Sequence, residues 1–418
     1  MNSFKLHNML LGASSAATQI EGDCTNTNWY DWYLKGHIKD NSSPEKANRH
    51  YKYFKEDIEL MKQMGLQIAR IGLEWARIEP QEGVFDEEVL EHYKEELKLM
   101  NANGIKPLVS LWHFSNPLWF EKKGGFFCKD ARGLFLDYVS KVVSHLGEYI
   151  ESWVTLNEPN VYGFLSYFVG AWPPGKKSLL KYIKLMDIFN ELHIESYNMI
   201  HRCYPDAKVG TALHVRAYEP FDDSKQNIYM KNFAESLMQK NLAKSMNTGK
   251  VAIPFKNHKE GKYYDFIGIN YYTRSLVKGF NECTKENTPK NDLGWEIYPE
   301  GLRLLCEEYH NEYQAPIYIT ENGTCDNEDK FRCLFLYDHL KQISDLDYVE
   351  RYYHWCFIDN WEWVEGEKAR FGLIHNDYDY QIRTFKKSGY FYKEIINENG
   401  INEDMYERYV KDEKYNIY

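Results

Sequence analysis

No stretch of the 418-residue chain reaches the roughly 18 uninterrupted apolar residues that a transmembrane helix needs, so no membrane span is expected. Its eight cysteines (Cys24, Cys128, Cys203, Cys283, Cys306, Cys325, Cys333, Cys356) contain no C-x-x-C pair and no regular spacing, which argues against a disulfide framework and fits reduced thiols in a cytoplasm. Fourteen histidines include no H-x-x-x-H or H-x-H pair, so no metal is expected. There is no G-x-x-x-x-G-K-S/T loop to cradle a phosphate. Basic residues are outnumbered, and the net charge of −11 repels nucleic-acid phosphates and anionic membrane surfaces, so no nucleic-acid partner is expected. Lys5 and His7 interrupt the short apolar stretch at the N-terminus, which lacks the core and cleavage site of a signal peptide and points to a cytoplasmic location. Pro/Gly/Ser-rich linkers, internal repeats and breaks in composition are lacking too.

The composition that remains, 43% hydrophobic and 27% charged, is that of a folded globular protein rather than a disordered or low-complexity chain. At about 150 residues per domain the length suits two or three domains or one large barrel. Short apolar, β-branched runs at 9–13, 67–72, 105–111, 152–156, 208–213, 266–269, 317–320 and 349–355 are each followed by a longer helical pattern. Eight alternations of this kind predict an α/β fold, a single (β/α)8 TIM barrel spanning 1–418. One unit shows the punctuation. Asp86 caps a segment whose Val89, Leu90, Tyr93, Leu97 and Met100 share a helical face, Asn103-Gly104 stops it, and Ile105 opens the next strand. Two stretches read as excursions, 221–260 being charged and amphipathic and 280–292 polar and turn-rich.

In such a barrel the active site lies at the carboxyl ends of the strands, so a polar residue closing an apolar run is a catalytic candidate. Glu158 closes Trp153-Val154-Thr155-Leu156-Asn157-Glu158-Pro159, and Glu321 closes Ile317-Tyr318-Ile319-Thr320-Glu321-Asn322-Gly323. They end the fourth and seventh strands, which face each other across the mouth. Two such carboxylates are what glycosidic cleavage requires, one protonated to assist the leaving oxygen and one ionised to attack or to activate water. Taken singly, either glutamate also reads as an ordinary helix start or turn residue. The other strand ends weigh against that: Gln19 after the first, Arg70 on the second, His113 after the third, Asn270 and Tyr272 after the sixth, Trp355 on the eighth. A mouth of amides, imidazole, phenol and indole suits a neutral polyhydroxylated ligand. Glu362 between Trp361 and Trp363 has the make-up to hold sugar hydroxyls beside a stacking ring.

These residues resemble the retaining β-glycosidases of glycoside hydrolase family 1 over nearly the whole chain. The match rests on seven ordered motifs: Thr18-Gln19-Ile20-Glu21-Gly22, Ala69-Arg70 with Glu74-Trp75-Ala76-Arg77-Ile78, Thr155-Leu156-Asn157-Glu158-Pro159, Gly268-Ile269-Asn270-Tyr271-Tyr272-Thr273, Ile319-Thr320-Glu321-Asn322-Gly323, Asp359-Asn360-Trp361-Glu362-Trp363, and Arg370-Phe371-Gly372-Leu373. The length and the Trp112-His113-Phe114 and Trp172-Pro173-Pro174 segments look most like compact archaeal members. The resemblance implies Glu158 as acid/base and Glu321 as nucleophile, with Arg70 and Tyr272 keeping the latter ionised and oriented. It further implies that Asn157 binds the 2-hydroxyl, that Gln19, His113, Glu362 and Trp363 bind the 3-, 4- and 6-hydroxyls, and that Trp355 is the stacking platform. Asn270 and Phe371 complete the substrate-binding set. The implied activity is hydrolysis of terminal β-D-glucosyl residues, with galactosyl, fucosyl or mannosyl groups also open, on a small-molecule β-glycoside and without a cofactor. Phe114 stands where the family often has Trp, Cys356 where it has Ser, and Trp361 where it has Phe or Tyr. Members that cut 6-phosphosugars typically carry Ser at Glu362 and Lys and Tyr at Ala369 and Phe371. The phosphate clamp is therefore missing, apart from Lys368 and Arg370 nearby, and a buried Glu362 should repel a phosphate. A 6-phosphoglycosidase, a transglycosidase and an inactive sugar-binding barrel remain the alternatives.

Overall fold

Eight strands close on themselves in the computed structural model, which describes residues 2–250 and 252–417. They are β1 (Leu10–Ser14), β2 (Ile68–Gly72), β3 (Lys106–Ser110), β4 (Ser152–Asn157), β5 (Lys208–Pro220), β6 (Ile267–Lys278), β7 (Ile317–Asn322) and β8 (Val349–Trp355). Each pairs in parallel with the next, and β8 pairs back onto β1, so the ring has no free edge. This is the expected (β/α)8 barrel. Helices follow the strands, among them His50–Met64, Glu87–Ala102, Ala131–Leu146, Leu179–Cys203, Pro299–Tyr313, Arg332–Ile343 and Lys387–Glu398. The expectation of one domain over 1–418 includes Met1, Val251 and Tyr418, which lie outside the described residues.

Asp86 caps its helix as its side chain predicts, its Oδ1 accepting from the N–H groups of Glu88 and Val89 at 3.0 and 3.1 Å. Gly104 ends that helix in a left-handed conformation at φ 75°. Where expectation and structure differ is at the far ends of β5 and β6. Both run well past the apolar stretch that announced them, because each finds a partner there: their registers continue to Pro220 and Val277, and β6 turns back into a short antiparallel strand at Asn281–Cys283. The 280–292 excursion therefore starts as a hairpin. The 221–260 excursion carries two helices, Lys225–Glu235 and Asn241–Thr248.

The barrel interior changes character along its axis. Its floor is an apolar layer of Ile68, Leu108, Val154, Ala212, Phe266, Tyr318 and Tyr353, in which the rings of Phe266 and Tyr318 stack at 4.1 Å. Two residues further along β2, on the same face by the period of a strand, stands Arg70. Its Nε donates to Ser110 Oγ, two residues beyond Leu108, at 2.9 Å. One step up each strand therefore takes the interior from hydrocarbon to charge. Gly323 has a packing role at this end: a Cβ there would lie 1.9 Å from the carbonyl oxygen of Trp355. The Glu321-Asn322-Gly323 sequence is thus a close approach between β7 and β8 and not a free turn.

Candidate active site

Arg70 is almost wholly buried, and a buried guanidinium must be paired. Its NH1 donates to Glu321 Oε1 at 2.6 Å and its NH2 to Asn157 Oδ1 at 2.6 Å. Tyr272 donates its hydroxyl to the other oxygen of Glu321, Oε2, at 2.5 Å. Both oxygens of Glu321 are therefore met by donors from the second and sixth strands.

Glu158 enters from the opposite wall. It follows β4 with a left-handed backbone, φ 40°, and the proline after it starts a short helix, so the chain turns sharply at this residue. Its N–H donates to the carbonyl of Ala212 at 2.7 Å. Its Oε1 accepts from Asn270 Nδ2 at 2.8 Å. Asn270 is oriented by Thr320, whose hydroxyl donates to Oδ1 at 2.6 Å, and its Nδ2 also reaches Asn157 Oδ1 at 3.1 Å. A continuous run of hydrogen bonds, Glu321 to Arg70 to Asn157 to Asn270 to Glu158, thus ties the two carboxyl groups to one frame.

Both glutamates line a cavity of about 150 Å³. Pockets for drug-sized ligands hold about 300 to 1,000 Å³, so this one admits a group the size of one sugar ring. A wider depression between Glu87, Glu91 and Lys98 runs along one outer helix, and its carboxylates are exposed to solvent. Of the residues picked out from sequence, His113, Glu158, Tyr272, Glu321, Trp355, Glu362, Trp363 and Phe371 line the cavity. Gln19, Arg70, Asn157 and Asn270 sit directly behind and hold those that do. Among the described residues no group of three or more His, Cys, Asp or Glu is placed to hold a metal ion.

Donor and acceptor roles spread outward from Arg70. Because Asn157 Oδ1 accepts from it, Asn157 Nδ2 must be the donor to His113 Nε2 at 2.9 Å, which puts the ring proton of His113 on Nδ1. That Nδ1 is buried with no protein partner, as is Gln19 Oε1. Gln19 Nε2 is occupied by Asn360 Oδ1, the Trp361 carbonyl and Glu362 Oε2, at 3.2, 3.0 and 3.2 Å. An orphaned donor and an orphaned acceptor beside one small cavity suit a ligand carrying hydroxyls. Burial, with Arg70 nearby, pushes the His113 imidazole well below its usual range and keeps it neutral.

Burial also governs the carboxyl groups. Glu321 is pushed up to about 7, with the Glu158 charge adding to the rise; Arg70 and Tyr272 pull the other way. The expected lowering by Arg70 is present, but removal from water outweighs it. Burial and the Glu321 charge hold the Tyr272 phenol well above its ordinary value, so it stays a donor. Glu362 is pushed up to about 8, again mainly by burial, against hydrogen bonds from Trp355 Nε1 and Gln19 Nε2. Below that pH it carries a proton, which corrects the expectation that its charge repels a phosphate. Cations are what the site lacks there: Lys368 is exposed outside the cavity, and Arg370 is engaged by Asp359 and the Asn376 carbonyl.

A carboxyl raised on folding contributes stability that is complete below its unfolded value, near 4.5, and is lost as pH rises through about 8. Glu362→Gln removes that loss. Its melting temperature should match the wild type near pH 4.5, exceed it increasingly up to about pH 8 and level off above, the difference in stability being on the order of a few kcal/mol at most. A gap that does not vary with pH across scanning calorimetry runs would count against a proton-holding Glu362.

The three departures noted from sequence are packing matters. Phe114 packs on Trp172 and Trp363 at 5.0 and 5.3 Å; Trp361 is fully buried and donates to the Ser42 carbonyl at 3.3 Å; Cys356 Sγ reaches the Ile358 carbonyl at 3.0 Å. The cavity wall also holds His214, Arg216, Trp172 and Trp295, none of which was a site candidate from sequence. His214 carried a signal like that of His113, a histidine closely following an apolar run.

The chain is similar to known proteins over nearly its whole length. The sequence description "Glycosyl hydrolase family 1" matches residues 2–401. Beta-glucosidase A of Acetivibrio thermocellus is 30% identical, the alignment covering 93% of this chain and 97% of that protein. The structure of a beta-glycosidase from Pyrococcus horikoshii superposes with a TM-score of 0.89 at 31% identity, covering 97% of this chain and 98% of the other. That of a beta-glucosidase from Thermotoga maritima in complex with glucoimidazole superposes with a TM-score of 0.88 at 26% identity, covering 96% and 100%.

Proposed function

This chain belongs to glycosyl hydrolase family 1 and is an O-glycosyl hydrolase acting on β-glucosides, and from that premise we propose that it releases terminal non-reducing β-D-glucosyl residues by double displacement with retention. The single observation that carries the mechanism is the convergence of Glu158 and Glu321 on one ring-sized cavity, with Arg70 and Tyr272 donating to Glu321 and not to Glu158.

The mechanism needs one carboxylate and one carboxylic acid, and the donors assign the roles: a guanidinium and a phenol on Glu321 favour the anion there, so Glu321 is the nucleophile and Glu158 the acid. Glu321 then attacks the anomeric carbon as the bond to the leaving oxygen breaks, and Glu158 gives that oxygen its proton. In the second half Glu158 takes a proton from water, the water oxygen bonds to the anomeric carbon, and Glu321 leaves as carboxylate to its two donors. Two inversions give net retention. His113 Nδ1–H, Gln19, Glu362 and Trp363 receive the hydroxyls at positions 3, 4 and 6, Asn157 the 2-hydroxyl, and Trp355 lies against the ring. The lack of free cations beside Glu362 favours unphosphorylated sugars.

Proton NMR of an aryl β-glucoside digest tests the mechanism, since β-glucose should be seen first and α-glucose only as mutarotation proceeds; α-glucose as first product would overturn it. The matched 6-phospho substrate should have a kcat/KM lower by about 100-fold or more, because its charge meets no counter-ion.

A further inference from the structure

Two polar residues of the cavity wall have no part in that mechanism, His214 and Arg216, which stand two apart on β5 and so on one face of it. Donor accounting fixes the imidazole between them and Glu158. Arg216 Nε can only donate, and it lies 2.9 Å from His214 Nε2, so that nitrogen accepts and the ring proton is on Nδ1. Nδ1 lies 3.3 Å from Glu158 Oε1 and donates to it. Arg216 is held in turn from β6 and its hairpin, its NH1 donating to Ser275 Oγ at 3.1 Å and to Glu282 Oε2 at 2.7 Å, while Ser275 Oγ donates to the same Glu282 oxygen at 2.9 Å. The ring of Tyr272 lies nearly parallel to that of His214 at 5.9 Å. The line runs inward from Glu282, 36% exposed, to Glu158, 8% exposed.

Oε1 of Glu158 therefore accepts two N–H donors, from Asn270 and from His214. A carboxylic acid so held carries its proton on the other oxygen. The geometry points to His214 as a positioning residue, whose Nδ1–H, fixed by Arg216, pins Oε1 so that Oε2 is the oxygen that protonates the leaving group and later deprotonates water. This rests on the reading of Glu158 as the acid/base. No proton is gained or lost at His214 in either half-reaction. Without it, Asn270 alone holds the carboxyl, whose terminal torsion is broad and nearly two-fold, and the proton is no longer confined to the oxygen that faces the substrate.

The test uses His214→Leu, which removes the donor, and His214→Asn, whose amide can present an N–H where Nδ1 stood. Each is assayed on a dinitrophenyl β-glucoside, which leaves unaided, and on an alkyl β-glucoside, which needs the acid. His214→Leu should lose roughly 10- to 100-fold in kcat/KM on the alkyl glucoside but stay within about threefold on the dinitrophenyl one, and His214→Asn should stay within about threefold on both. In a Glu158→Ala background, His214→Leu should cost nothing further, because its target is gone. Equal losses on both substrates, a His214→Asn variant as impaired as His214→Leu, or additive losses in the double variant would overturn the assignment. If Glu158→Ala alone does not separate the two substrates, it is the acid/base reading that fails, and the inference falls with it.

Discussion

Replacing Glu321 by glycine is expected to lower turnover of aryl β-glucosides on the order of 10⁴-fold or more, since the covalent half-reaction has no substitute in the site. The fold should tolerate the change. Arg70 loses one partner but keeps Ser110 Oγ, the Thr320 carbonyl and Asn157 Oδ1, so its guanidinium is not abandoned. Added formate should then restore turnover of an activated β-glucoside in a concentration-dependent way, because a small carboxylate can occupy the vacated space beside Arg70 and Tyr272. The loss of activity, the retained melting temperature and the rescue must occur together. Turnover close to wild type in purified Glu321→Gly would remove the nucleophile from this wall altogether.

The second large effect is one of contrast. Glu158→Ala should lose about 10²- to 10⁴-fold on an alkyl or disaccharide substrate, where the departing oxygen needs a proton. On a dinitrophenyl β-glucoside the first step should proceed nearly unimpaired, while the second stalls for want of a base. The glycosyl-enzyme then accumulates, seen as a burst of dinitrophenolate and a lowered KM. Azide, which attacks without giving up a proton, should restore the steady state and yield the β-glycosyl azide. A uniform loss on both substrates, or indifference to azide, would take the acid/base role from Glu158.

The eight strands were legible because each is buried on both faces and so reads as a short continuous apolar run. Glu158 and Glu321 were legible for a related reason: a carboxylate directly after such a run has to stand at the barrel mouth. His214 directly follows the apolar run 208–213 and could have been read from it, whereas Arg216 was hidden because β5 continues past that run, carried by hydrogen bonds to β6 that pattern alone does not announce. The charge states were misjudged in part. Arg70 beside Glu321 suggested a depressed carboxyl and Glu362 a charged one, yet both are pushed upward, since neither residue's own sequence neighbours report how much water the finished cavity excludes.

Order and type of the elements, the barrel they close and the pair of acidic strand ends follow from local patterning, because strand and helix periods are written into neighbouring residues. Which oxygen meets which donor was decided only in three dimensions. Arg70 and Glu321 are 251 positions apart and Asn270 and Glu158 are 112 apart, and hydrogen bonds of 2.6 and 2.8 Å between them exist only once the ring of strands has closed. Desolvation and distance set the site's electrostatics, and both are properties of the assembled barrel.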